Sequence, residues 1–234
     1  MGEQKVDVTE VRAKLCRMNA DTHFLMDARP RRLTRRGAET RDRILDAMVT
    51  CTVRSGFAVT TIEHVMQEAG LSRGSVLHQF PTRVALAAET AKRCMYSVMD
   101  ASDALAVAIA DPYERFADYP RIMWETQSSP EGLAFTDILL TMRWDRELAS
   151  ALQSIASQVE QDIHDAFVRM AAEAGFSDTE AVVPHGWLLL ANVRGLLMEH
   201  ALNPNRPMIL EAINLMKTNH RAFCERMRAA SIAN

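Results

Sequence analysis

The chain has 234 residues, 48% of them hydrophobic and only 6% aromatic, with a formal net charge of -3. That is enough apolar material for one large helical core or a small domain fused to a larger one. No apolar run approaches the roughly 18 residues of a membrane span, and the N-terminus lacks the apolar core of a signal peptide, so a cytoplasmic protein without membrane contact is expected.

Nine glycines and eight prolines are few for a turn-rich β fold and favour helices. Cys16, Cys51, Cys94 and Cys224 show no paired spacing and read as buried free thiols, not a disulfide framework or a metal site. Residues 1–28 hold four basic and five acidic residues, with Val11, Leu15 and Met18 at helical spacing, so a short extra helix or a disordered extension fits them. Arg29, Arg31, Arg32, Arg35 and Arg36 follow in RPRRLTRRG, whose proline and glycine discourage a helix. It reads as a flexible arm suited to a narrow minor groove.

Next, TRDRILDAMVTCTVRSGF places Ile44, Leu45, Met48, Val49 and Thr52 on one helical face before Gly56 ends it. In TTIEHVMQEAGLSRGSVLHQF two short helices join through a glycine turn, the spacing of a helix-turn-helix. Thr60 is placed to cap the first, with Glu63 completing a capping box, and Ile62, Val65, Met66 and Ala69 form its buried stripe. Gly70 stops it and Ser72 caps the second helix, which turns Val76 and Phe80 inward. Arg73, Gly74, Ser75, Leu77, His78 and Gln79 are left to meet DNA. Arg73 is suited to a bidentate guanine contact, with His78 slightly more than one turn later on nearly the same face.

Residues 39 to 90 resemble the TetR family of bacterial regulators, on Gly70-Leu71-Ser72, Gly74-Ser75-Val76-Leu77, Phe80 and Arg83. Leu77 stands where that family usually has a tyrosine that reaches a phosphate, and Gln79 where an aromatic or histidine is common. The resemblance implies an operator-binding dimer with a small-molecule pocket in a larger helical domain. It also implies phosphate contacts from Arg83, at the opening of the fourth helix, with Thr60, Thr61 and Gln79 as lesser backbone contacts. Charge agrees with this reading. Residues 29–93 carry twelve Lys and Arg against six acids, whereas residues 94–234 carry eleven against nineteen.

Beyond the head, VALAAETAKRCMYSVMDASDALAVAI reads as a connecting helix, and Pro112, Pro120 and Pro130 punctuate shorter ones. A long helix presents Leu148, Leu152, Ile155, Val159, Ile163, Phe167 and Met170 and closes at Gly175, with Ser177 and Glu180 offering a capping box to the next. That next helix is apolar nearly all round, and Pro184 kinks it or marks its start. With the final helix, from Pro207, it is expected to form a four-helix dimer interface centred on Trp187, Leu190, Leu197, Ile213 and Met216. Met123, Trp124, Phe135 and Trp144 are the expected lining of a pocket for an apolar or aromatic effector.

Seven histidines include no pair at metal-binding helical spacing, and no phosphate loop or nucleophile elbow is present, so no catalytic residue, metal or cofactor is expected. The reading is an all-α regulator, most simply a repressor. It has an N-terminal extension with a basic arm (1–37), a three-helix helix-turn-helix head (38–85) and a larger helical effector-binding and dimerisation domain (86–234). An all-helical small-molecule enzyme or a protein-binding adaptor is the alternative, and salt-dependent duplex DNA binding separates them.

Overall fold

A computed structural model of the chain describes residues 35–233; the expected extra helix in residues 1–28 and Arg29, Arg31 and Arg32 lie outside the described residues. Contacts divide the chain into Met1–Ala38 and Glu39–Asn234. The described residues form ten α-helices and no strand: α1 Arg35–Ser55, α2 Ile62–Ala69, α3 Arg73–Gln79, α4 Arg83–Val107, α5 Pro112–Ala117, α6 Tyr119–Gln127, α7 Pro130–Thr141, α8 Arg146–Glu173, α9 Val182–Leu202 and α10 Pro207–Ala233. Arg35 and Arg36 lie in the first turn of α1, so the helix starts before the glycine expected to keep this stretch irregular.

The head follows its local signals. Ile44, Leu45, Met48, Val49 and Thr52 are buried along α1, and Gly56 leaves it at φ 88, a backbone region costly for any side chain. The cap of α2 is one residue later than expected. Thr61, extended at φ -108 and ψ 167, accepts from the His64 amide, while the His64 ring accepts from the Thr61 amide, so Thr61 and His64 replace Thr60 and Glu63. Thr60 is only 1% exposed and its hydroxyl donates to the Gly56 carbonyl.

Around α4 the body assembles: α6, α7 and α8 pack on it, and α9 packs on α6, α8 and α10. Pro112 and Pro130 open α5 and α7 and Pro120 sits in the first turn of α6, where a missing N–H removes no helical bond. Pro184 likewise falls in the first turn of α9 and marks its start. No capping box forms at Ser177. Its hydroxyl and amide both bond the Ser231 hydroxyl, and the Asp178 carboxylate takes the Ala181 amide instead.

One buried cluster runs from Ile44, Met48, Phe57, Val65, Val76 and Phe80 through Leu86, Ala91 and Cys94 of α4 to Phe135, Ile138, Leu148 and Leu152. Head and body therefore share apolar packing across residue 85. A second cluster gathers Phe116, Phe167, Met170, Phe176, Val182 and Cys224, and a third Met123, Leu189, Leu190, Val193, Leu197 and Met216. Each fully buried large side chain in them stabilises the fold by about 1.5–3 kcal/mol relative to leaving it in water.

Candidate nucleic-acid interface

The turn between α2 and α3 is built from three local devices. Gly70 adopts the left-handed conformation at φ 62 and returns its amide to the end of α2. The Ser72 side chain accepts from the Ser75 amide at 3.2 Å and opens α3. Val76 and Phe80, at 0% and 2% exposure, then fasten α3 to the head core, which fixes its rotation. What faces outward follows from that rotation: Arg73, Gly74 and His78 are exposed, and Ser75, Leu77 and Gln79 are half-buried.

The expected contact set divides accordingly. Arg73 forms an ion pair with Glu63 across the turn, which holds its guanidinium at the exposed surface of the motif. His78 is exposed, but five residues round a helix place it about 140° from Arg73, not on nearly the same face. The Ser75 hydroxyl pairs with that of Ser72 at 2.9 Å, and Leu77 packs against the head core. Thr60 is buried behind the turn and Thr61 is used as a cap.

Arg83 is committed to the fold. Its Nε donates to the Thr60 carbonyl at 2.7 Å, its Nη2 donates to the Phe57 carbonyl, and its guanidinium lies 4.1 Å from the Phe57 ring centroid. These acceptors and the ring make Arg83 a clamp on the α1–α2 loop, a role distinct from the phosphate contact expected of it. Charged hydrogen bonds of this kind contribute about 1.5–3 kcal/mol each. Arg83→Ala is therefore expected to lower the unfolding free energy by roughly 3 kcal/mol in a urea titration. It should leave the salt slope of DNA binding unchanged, whereas a lost phosphate contact would reduce that slope by about 1.

Other head arginines are also engaged. Arg43 donates to the Ala69 carbonyl at 2.6 Å and satisfies the end of α2. Arg41 pairs with Glu89 at 3.2 Å, Arg54 with Glu68 at 2.7 Å, and Arg93 with Asp46 at 2.7 Å. Part of the basic charge counted in the sequence thus holds the head together. A further residue absent from the sequence reading, Asp137 of α7, accepts the Phe57 amide at 2.5 Å and ties the α1–α2 loop to the body. Its only sequence signal is a lone acid within the apolar stretch GLAFTDILLTM.

Two cavities of the body border α9. The first, about 340 Å³, is walled by Val98, Met99, Ser102, Tyr119, Met123, Gln127, Phe167, Leu190 and Arg194, with Asp103, Asp162, Asp165 and Arg169 also on its lining. The second, about 240 Å³, is walled by Phe135, Leu139, Met142, Leu152, Ile155, Val159 and Trp187. Met95, Ile163 and Arg194 border both. Of the four expected lining residues, Met123 borders the first cavity and Phe135 the second. Trp144 is 67% exposed in the turn after α7, and Trp124 packs edge-on against His200 at 5.7 Å; neither lines these two cavities.

The expected dimer residues also divide. Leu190 and Leu197 of α9 and Ile213 and Met216 of α10 are buried within the single chain, where α9 packs on α6, α8 and α10. Trp187 is outward, with Leu188, Met198 and Leu202.

Residues 44–90 match the family model of bacterial regulatory proteins of the tetR family. No curated protein matches the sequence. Among solved structures, a TetR-family transcriptional regulator from Cytophaga hutchinsonii is similar in fold, with a TM-score of 0.64 at 17% identity over 81% of this chain and 96% of that one. A TetR-family regulator from Syntrophomonas wolfei gives 0.60 at 16% identity over 80% and 95%. A transcriptional regulator from Saccharomonospora viridis, solved in complex with choline, gives 0.57 at 19% over 80% and 96%.

Proposed function

We propose, for a chain that bears a TetR-family DNA-binding head on a TetR-like helical body, the function of a homodimeric transcriptional repressor that binds a palindromic operator and is released by a small molecule. The observation that carries the reading is the presentation of α3: capped by Ser72, fastened by Val76 and Phe80, and exposing Arg73 and His78. A helix held this way can enter a major groove with its N-terminal residues against base edges. Selection of duplexes from a random pool, followed by binding across a salt series, tests it. A palindromic site and a steep salt dependence are expected, and an enzyme or a protein adaptor would give neither.

Arg73 is the base-reading residue in this scheme. Release from Glu63 costs little, since an exposed ion pair is weak. Arg73→Ala should weaken operator binding by about 1–3 kcal/mol and relax preference at one position in each half-site, while leaving thermal stability unchanged. Unaltered preference across a panel of mutated operators would remove Arg73 from the reading surface.

Two recognition helices must lie about 34–36 Å apart to enter successive major grooves. The proposed dimer face is the outward side of α9, Trp187, Leu188, Ala191, Gly195, Met198 and Leu202, extended by Met208 and Leu215 of α10. Ligand control follows from α7. Phe135 and Leu139 border the second cavity one helical turn apart, while Asp137 between them reaches the Phe57 amide of the head. A ligand that moves the cavity wall moves the strut that holds the α1–α2 loop. Its effect equals its differential affinity for the two arrangements, so hundred-fold release of DNA needs about 2.7 kcal/mol. Choline in the S. viridis relative supports small-molecule binding in a body of this fold.

A further inference from the structure

Within the apolar sequence WLLLANVRGLLM of α9, Arg194 is a lone charge. Leu190 and Arg194 are one turn apart and both face the cavities, so the guanidinium stands where the two cavities meet. It has no ion pair among the described residues, its Nε is buried without a hydrogen-bond partner, and its guanidinium lies over the Phe135 ring, 5.5 Å from the centroid. Burial pushes its pKa down to about 10, and no carboxylate counters that shift. Arg194 as a whole is half-buried; an unpaired cation whose Nε is out of reach of water is costly to the fold, and one kept beside a cavity is a site for an anion.

The lining of the second cavity favours a ligand with an apolar body, and the aspartates lie on the first. Asp103 and Asp165 are exposed and Asp162 half-buried, and the last two are already satisfied. Asp162 accepts from the Tyr96 hydroxyl and the Gln158 amide, and Asp165 from the Gln161 amide. The second cavity offers Leu139, Met142, Ile155 and Val159, with Glu160 exposed.

We infer that the body binds an apolar carboxylate, such as a medium-chain fatty acid, whose carboxylate pairs with the Arg194 guanidinium and whose tail fills the apolar second cavity. The planar guanidinium fork matches a carboxylate in a two-point contact, and the tail supplies apolar burial. The inference rests on the reading of the body as an effector site and narrows the effector to a chemical class.

Calorimetric titration of the full chain with octanoate, 1-octanol and octylamine tests it, since the three share a tail and differ in head charge. Octanoate should bind at least ten-fold tighter than octanol, with octylamine weakest. In Arg194→Met the preference for octanoate over octanol should vanish while the melting temperature of the free protein holds or rises, because an unpaired, half-buried charge has gone. Arg194→Gln serves as a second neutral variant should the methionine form fail to fold, and Arg194→Lys should keep the preference for the acid. Binding of octanol or octylamine as tight as octanoate, binding of none of the three, or an unchanged acid preference in the neutral variant would overturn the inference. Octanoate that binds through Arg194 without releasing operator DNA would uphold the carboxylate site and remove the effector reading.

Discussion

Leu188→Glu is expected to convert the protein to a monomer at micromolar concentration and to lower affinity for a full palindromic operator by at least about a hundred-fold, with helical content unchanged. Leu188 is 59% exposed, so a charge there disturbs nothing inside the protomer. In the proposed dimer the two copies of the face meet across a two-fold axis, and each glutamate would lose water without gaining a partner, at several kcal/mol per ion. Trp187, Met198, Leu202, Met208 and Leu215, between 37% and 75% exposed, supply the apolar area that a stable interface needs. Loss of one head removes half the DNA contacts. A second variant separates this from general damage. A Cβ at Gly195 would meet nothing within 4 Å, and glycine inside a helix costs about 1 kcal/mol relative to alanine. Gly195→Leu should therefore stabilise the isolated protomer yet wedge two α9 helices apart. Sedimentation of both variants decides the matter: dimers that persist with native operator affinity would rule out this face.

Acid is expected to destabilise the body by about 3 kcal/mol between pH 6.5 and pH 4 through His220 alone, a figure that follows from its pKa being pushed down to about 4 by burial. His220 is 2% exposed. Its Nε2–H donates to the Phe116 carbonyl at 2.8 Å and its Nδ1 accepts from His185 Nε2 at 3.0 Å, so the neutral ring joins α5, α9 and α10. Protonation would set two N–H donors against each other and charge a group beside Arg221, which also disfavours it. Above about pH 6.5 the residue is neutral in both folded and unfolded chains and stability does not depend on it. As pH falls below that value the unfolded chain takes a proton that the folded one refuses, and stability drops until the folded pKa is reached. His185, shifted down mainly by burial, adds in the same direction. Urea unfolding at pH 7.5, 6.5, 5.5 and 4.5 should show this slope in the wild type and a shallower one in His220→Gln. Parallel slopes would assign the acid sensitivity to the carboxylates.

Which parts of this were legible in the sequence follows from the range of the interactions involved. The helix-turn-helix is set by contacts within a few residues: a left-handed Gly70, the Ser72 cap three residues before the amide that donates to it, and Val76 and Phe80 one turn apart. The same holds for the prolines that open α5 and α7 and for the apolar stripe of α8, since caps and a 3.6-residue period are properties of the local chain. Even here a shift of one residue was not readable. Thr60 and Thr61 have equal capping chemistry, and only the packing that buries Thr60 leaves the cap to its neighbour.

Tertiary structure decided the rest. Nothing local to Arg83 shows that the Phe57 and Thr60 carbonyls, more than twenty residues earlier, converge on it. Ser177 was a plausible cap until Ser231 met it from α10. Most of all, the sequence could not say which side of α9 faces out. A helix apolar nearly all round has no preferred direction of its own, so its rotation is fixed by the neighbours that bury it. That rotation buries Leu190 and Leu197 and leaves Trp187, Leu188 and Met198 exposed. It also carried Arg194, one turn from Leu190, to the junction of two cavities, because charge and apolar groups on such a helix are sorted by the surrounding helices and not by its own periodicity.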